Sequence, residues 1–361
     1  MRVRILLSCL LFLVPDGARA IEPEKTSVLE LQVNEQVRAL TSDQVPKLIE
    51  RARGDDIQAQ CVLGVAYARG AVVPRDDAQA IKWLTKAAVL GVSWVQNLLG
   101  VLYRHVAKQP EDYAEAFKWL HAAAEQHHPV AADNLGYMYL NGEGVAKDYS
   151  QAAHWYAIGA AEGYAPAQNN LAQLYEHGIG VHKDYAAALT LYRQAVEQGL
   201  ASAQNNLGAM YEAGLGVTKD YNEAAKWYRA SAEQGEPIGQ SNLAFMYAHG
   251  HGVQRDLKEA AKWITRAAES GYAPAQGRLA QFYETGQGVP LDYTLAYRWY
   301  SRAAAGGHEA SKRALALLSQ RMTPMQLQAA RTALLNQEHF AVGPSGVIVE
   351  RKLPAQQWPR E

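Results

Sequence analysis

Two sets of residues in this chain of 361 amino acids have types and spacings that chemistry could use. The first is seven aspartates, Asp76, Asp112, Asp148, Asp184, Asp220, Asp256 and Asp292, set 36 residues apart. Carboxylates held in fixed geometry are common general acids and bases. Each of these, however, directly precedes a run with apolar residues at helical spacing. Aspartate is a favoured N-cap there, and its charge suits the positive end of the helix. Capping is therefore the expected role of all seven. The second set is histidine. His105, His177 and His249 share one position of the same period but lie two periods apart. At about 10 Å per layer of packed helices, they are too far from one another to share a metal ion. His249 and His251 are close, yet no third ligand stands near them, and the sequence contains no H-E-x-x-H. Neither is there an S-x-x-K, nor any nucleophile paired with a base. The residues predict no catalytic group, no metal and no cofactor. A hydrolase acting on a cell-wall or β-lactam substrate is the weakest reading of function.

The elements that position these residues form a repeating unit, seen best in 199–234. Leu207 recurs as Leu63, Leu99, Leu135, Leu171, Leu243, Leu279 and Leu315, and Tyr211 and Ala224 recur with the same period. A fixed period of this size is the signature of a solenoid. Ala203, Leu207 and Tyr211 lie four apart and define the apolar stripe of a first helix, A. Gly214 and Gly216 break it, as glycine does at a left-handed C-cap. Asp220 then opens a second helix, B, with Ala224, Trp227 and Ala230 or Ser231 inward, ending at Gly235. Helices of about 13 residues are not stable alone in water, so neighbouring units must bury each other's stripes.

The pattern A-Q-x-N-L-G-x-x-Y-x-x-G-x-G-V-x-x-D-Y-x-x-A-x-x-W-Y-x-x-A-A-x-x-G, carried by 203–235 and followed over 59–319, resembles the Sel1-like repeat, a relative of the tetratricopeptide repeat. The resemblance implies an all-α fold, a right-handed α/α solenoid or superhelix of 36-residue repeats. It also implies an interaction scaffold, often in bacterial envelope or secreted proteins, with no one chemistry. Some exported members of that family clamp each repeat with a cysteine pair, a device this chain lacks.

Residues 1–20 combine Arg2 and Arg4, an apolar run from Ile5 to Val14 and Ala18-Arg19-Ala20. That is the layout of a signal peptide cleaved after Ala20, and it is too short to span a membrane. Residues 21–55 read as N-terminal capping helices, with Asp43 capping the second and Pro46 in its first turn. Seven full repeats and a final A helix occupy 56–319. A capping helix introduced by Thr323-Pro324 fills 320–338, and 339–361 reads as a flexible tail. Repeat 2 departs most: 104–111 has neither loop glycine, and His127 replaces the glycine that ends helix B. Once the signal is removed Cys61 is the only cysteine, so the chain has no intramolecular disulfide. A small half-buried side chain is its expected role, with pairing between chains as the alternative.

With a net charge of −1 and no basic stripe, the chain excludes nucleic acid and anionic membranes as electrostatic partners. A protein or peptide is the expected partner, and a monomer the expected state, with no stable membrane insertion. Asparagine is a poor mid-helix residue, so two asparagine columns on the A helices need a cause. Asn134, Asn170, Asn206 and Asn242 precede the leucine and are expected to tie neighbouring helices. Asn97, Asp133, Asn169, Asn205 and Ser241 lie on the far side of the helix from the leucine. There they are expected to line a concave groove, where amides meet an extended peptide backbone. Tyr137, Gln173, Phe245 and Gln281 continue that face, the two aromatics as anchors. The function read from these residues is a periplasmic or secreted, non-enzymatic adaptor or regulator in the bacterial envelope. A secreted virulence-type factor binding host proteins is the alternative.

Overall fold

The structure, a computed structural model, describes residues 28–338, 340–342 and 348–350. The expected signal peptide and most of the expected tail lie outside the described residues. The described chain is helical apart from one short antiparallel pairing, Phe340–Val342 with Ile348–Glu350, which falls within the expected tail. No helix among the described residues is long and apolar enough to cross a membrane.

The chain divides into two compact units, one ending at Ala203 and one starting at Gln204. The first unit opens with α1 (Val28–Ala39) and α2 (Val45–Arg53). Its A helices are α3 (Ile57–Arg69), α5 (Ser93–Val106), α7 (Pro129–Asn141) and α9 (Ala165–His177). The B helices between them are α4 (Asp77–Ala88), α6 (Pro110–Ala124), α8 (Tyr149–Ala161) and α10 (Tyr185–Glu197). The second unit holds most of α11 (Ala201–Ala213), then α13 (Pro237–His249), α15 (Ala273–Thr285) and α17 (Glu309–Arg321) as A helices. Its B helices are α12 (Tyr221–Glu233), α14 (Leu257–Glu269), α16 (Tyr293–Ala305) and the closing α18 (Pro324–Glu338). Consecutive helices pack against one another from α2 to α10 and from α12 to α17, while α1 packs on α3 and α18 on α16.

The sequence dictates this arrangement repeat by repeat. Asp76, Asp148, Asp184, Asp220, Asp256 and Asp292 are N-caps; Asp220 Oδ1, for example, accepts from the amides of Asn222 at 2.8 Å and Glu223 at 3.2 Å. Asp112 differs from expectation. Pro110 starts α6 early, which moves Asp112 into the first turn, where its carboxylate accepts from the amides of Lys108 and Gln109. Asp43 is not the cap of α2 either: Thr41 and Gln44 cap each other across the 3-10 turn that leads into it. The recurring glutamine of the A helix has a task the sequence did not reveal. Gln60, Gln96, Gln240 and Gln276 each donate to a carbonyl near the end of the preceding B helix, at 3.0–3.3 Å. Those carbonyls are among the acceptors a helix terminus leaves unpaired.

The period-locked leucines from Leu63 to Leu279 are buried, Leu315 of the last A helix only partly, and the recurring alanines of the B helices are buried too. The most buried large side chain of helix B is the residue after the tryptophan column. Tyr156, Tyr192 and Tyr228 there are at most 1% exposed, and Leu84, Leu120 and Ile264 fill the same place in other repeats. Trp227, expected inward, is only half-buried. The loop glycines do more than turn the chain. Gly180, at φ +70°, lies so close to the Tyr149 carbonyl of α8 that a Cβ would collide with backbone. Each such loop is thereby pressed onto the start of the previous B helix.

At the end of α6, His127 adopts φ 60°, the left-handed conformation that glycine adopts at Gly91, Gly163, Gly199, Gly235, Gly271 and Gly307. A Cβ at those glycines would meet nothing within 4 Å, so a side chain fits there and its cost is backbone strain alone. His127→Gly is predicted to stabilise the protein by about 1 kcal/mol, read as a rise in the urea midpoint. An unchanged or lower midpoint would place the strain elsewhere.

Candidate binding face

The residues with chemical potential are occupied structurally. His177 and His249 bond through Nδ1 to the carbonyls of Gln173 and Phe245, one turn earlier on their own helices, at 3.1 and 2.9 Å. Among the described residues no group of three His, Cys, Asp or Glu side chains could hold a metal ion. Cys61 is fully buried, and burial, with Asp56 nearby, pushes its thiol up to about 12, leaving it without thiolate at neutral pH.

The asparagine columns form a ladder. Asn170 Nδ2 donates to Asp133 Oδ1 at 2.8 Å, Asn242 Nδ2 to Asn205 Oδ1 at 2.8 Å, and Asn134 Nδ2 to Asn97 Oδ1 at 3.4 Å. The first column therefore ties α7 to α5, α9 to α7 and α13 to α11, as expected. The second column differs from its expected place. Asp133, Asn169 and Asn205 are only 9%, 5% and 6% exposed, and Asn97 is half-buried. Asn170 of the next A helix holds Asp133, and Asn242 holds Asn205, so these residues do not line an open groove.

Of the other candidates, Tyr137 and Gln173 are half-buried in the first unit. The Arg104 guanidinium lies 4.3 Å from the Tyr137 ring centre, while its Nε donates to Glu143 at 2.8 Å and its Nη1 to Asn134 at 3.3 Å. Phe245 and Gln281 come together in the second unit, on a cleft of about 610 Å³. Ala244, Phe245, Ala248, Ile264 and Phe282 give its apolar walls, and Arg255, Arg278, His249, Gln281, Gln287 and Ser241 its polar ones.

Three local departures open this cleft in repeat 6. In repeats 4, 5 and 7 the buried tyrosine donates to a glutamate sixteen residues earlier: Tyr192 to Glu176, Tyr228 to Glu212 and Tyr300 to Glu284, at 2.5–2.9 Å. Burial and the neighbouring carboxylate push all three phenols well above their ordinary range. Repeat 6 has Ile264 and Ala248 at those two positions, so the space is left open. Ser241 replaces the asparagine of the second column, and Arg278 takes the place of the next asparagine in the first. The ladder therefore stops at Asn242, and a guanidinium reaches the cleft instead. Arg255 has no tyrosine ring beside it for a related reason. Lys147, Lys183 and Lys219 lie over the rings of Tyr149, Tyr185 and Tyr221 two residues on, whereas Arg255 is followed by Leu257. Its Nε donates to the carbonyl of Ala248 at 3.0 Å. Arg278 and Arg255 escaped the sequence reading, although both break columns that the period makes visible.

Asp133 is the one carboxylate in a column of amides, and desolvation pushes it up to about 6 despite the Asn170 hydrogen bond and the Arg104 charge. A carboxyl that binds its proton more tightly when folded favours folding at low pH. Its contribution is lost as pH rises from about 4 to about 6. Asp133→Asn is predicted to remove that slope and to stabilise the protein at pH 7 by about 1–3 kcal/mol. Urea midpoints of variant and parent between pH 4 and 7.5 check this; parallel curves would refute it.

Comparison with known proteins agrees with the architecture. The family model for the Sel1 repeat matches residues 57–92, 95–128, 129–164, 165–200, 201–236, 237–272 and 273–308. A Sel1 repeat protein from Oxalobacter formigenes, solved by crystallography, is 30% identical, with a TM-score of 0.63 over 82% of this chain and 91% of that one. The crystal structure of c5321, a protective antigen of uropathogenic Escherichia coli with an SLR fold, is 26% identical, with a TM-score of 0.33 over 86% of this chain and 94% of that one. No curated protein matches the chain.

Proposed function

The chain belongs to the Sel1 repeat family, and from that premise we propose that it is a non-enzymatic adaptor or regulator of the bacterial envelope, holding a protein or peptide on its A-helix side. Proteins built of this repeat generally act as protein–protein interaction scaffolds. One observation carries the finer reading. The period-locked aspartates, most of the asparagines and the buried tyrosines all have partners within the fold. The cleft at Phe245 and Gln281 instead brings aromatic, cationic and amide groups to an open face. An aromatic anchor ringed by polar groups is the usual make-up of a binding hot spot. Export rests on residues 1–20, whose basic, apolar and A-x-A segments have the order of a secretory signal.

Fractionation of the native cells should place the mature chain outside the cytoplasm, and cross-linking there should capture a protein bound to it. Phe245→Ala should weaken that complex by about 2 kcal/mol or more, with Gln281→Ala shifting stability by less than about 0.5 kcal/mol. Asn205→Ala, by contrast, strands the Asn242 amide and should cost about 1–3 kcal/mol of stability while leaving the complex intact. A cytoplasmic location would overturn the envelope assignment. A complex indifferent to Phe245 would overturn the placement on this face.

A further inference from the structure

We propose that the repeat-6 cleft selects acidic peptide segments, in which an apolar or aromatic side chain is flanked by aspartate or glutamate. The inference rests on the reading of the chain as a peptide-binding scaffold and adds the chemistry of the ligand. Its basis is charge complementarity. Of the residues lining the cleft, Arg255 and Arg278 carry full positive charge and none is acidic. Neither guanidinium is ion-paired among the described residues: Arg255 donates to a backbone carbonyl, and Arg278 lies 5.7 Å from the centre of the Phe245 ring. The two charges therefore stand beside an apolar wall of Phe245, Ile264 and Phe282, ready for a carboxylate next to a buried side chain. Guanidinium groups bind carboxylates through paired, directional hydrogen bonds. The amides of Gln281 and Gln287, with a donor and an acceptor each, suit the backbone between such side chains. The chain as a whole bears a net charge of −1, so this preference is local to the cleft.

The test is selection from a random peptide library displayed on phage, using the full mature chain at low and moderate salt. The expected result is an enriched motif of acidic residues around one apolar or aromatic residue, binding more weakly as salt rises. Arg255→Glu/Arg278→Glu should reduce binding of the selected peptides by about tenfold or more. Lys258→Glu/Arg313→Glu, with the same charge change away from the cleft, should leave it unaltered. Arg255→Gln/Arg278→Gln, checked by its melting curve, guards against misfolding of the reversed variant and should also weaken binding. Enrichment of neutral or basic peptides overturns the acidic preference but keeps peptide binding, as do acidic peptides indifferent to both arginine variants. Equal competition by free glutarate, or tighter binding of a single-stranded oligonucleotide, overturns the peptide as occupant. No enrichment of any peptide overturns both this inference and the reading on which it rests.

Discussion

Each repeat has to fill one position that no water reaches, the residue after the tryptophan column of helix B. The helix pair on its own cannot seal it, because helices of this length hold together only by stacking. Where a tyrosine fills it, the hydroxyl is carried into the interior and must find an acceptor, since a buried unpaired hydroxyl costs free energy. Repeats 4, 5 and 7 meet that demand with a glutamate sixteen residues earlier. Repeats 1, 2 and 6 avoid it with Leu84, Leu120 and Ile264, and their partner positions hold Ala68, Arg104 and Ala248. Repeat 3 departs from this, with Leu140 sixteen residues before Tyr156, so the glutamate accompanies the tyrosine in three of its four occurrences, where one hydroxyl couples the two positions. The remaining variation follows from that choice: Arg104, not needed inside, turns to Glu143 and Tyr137, and Ala248 leaves space for the cleft.

This coupling also bounds how much of the molecule was legible in advance. The period, the helix pair, six aspartate caps and the family all follow from positions where local preference and packing agree. The misplacements share one cause. On a single helix, Asn169 and Asn205 point away from the leucine stripe, which on an isolated pair of helices means solvent. In a stacked array another A helix occupies that side of Asn205, which accepts from Asn242, and Asn169 is buried as well. Likewise helical spacing gave both members of the Trp-Tyr pair an apolar role, while neighbouring repeats decided that Tyr228 is enclosed and Trp227 half-covered. Asp112 shows the reverse dependence, since one nearby proline was enough to move the helix start.

The candidate site was half legible. Phe245 and Gln281 continue one column of the repeat and are visible in it, whereas Arg255 and Arg278 break theirs. In a repeat array recurrence marks what stacking requires, and a break in a column marks a position released from it. Arg278 breaks the asparagine column, Ser241 the second column, and Ile264 with Ala248 the tyrosine–glutamate pair, all at one place in the fold. Repeats 1 and 2 also do without the tyrosine–glutamate pair, but only around repeat 6 do breaks in all three columns line one cleft.

The cleft is also built to keep its shape, which matters for what it can bind. Ordering a side chain on binding costs about 0.5–1.5 kcal/mol, so an anchor already held in place keeps more of its contact energy. Phe245 is held in this way. His249 lies with its ring centre 4.1 Å from that of Phe245, and its Nδ1 is tied to the Phe245 carbonyl, while His251 meets Phe245 edge-on and stacks on Tyr221 at 4.5 Å. The paired histidines thus have a physical task without any metal: they brace the aromatic wall against which the two arginines stand. That bracing comes from the G-x-G loop and its neighbours, the same segment that presses repeats 3, 4, 6 and 7 onto the ones before them. The element that makes the array stack therefore also fixes the one surface on which repeat 6 departs from its neighbours.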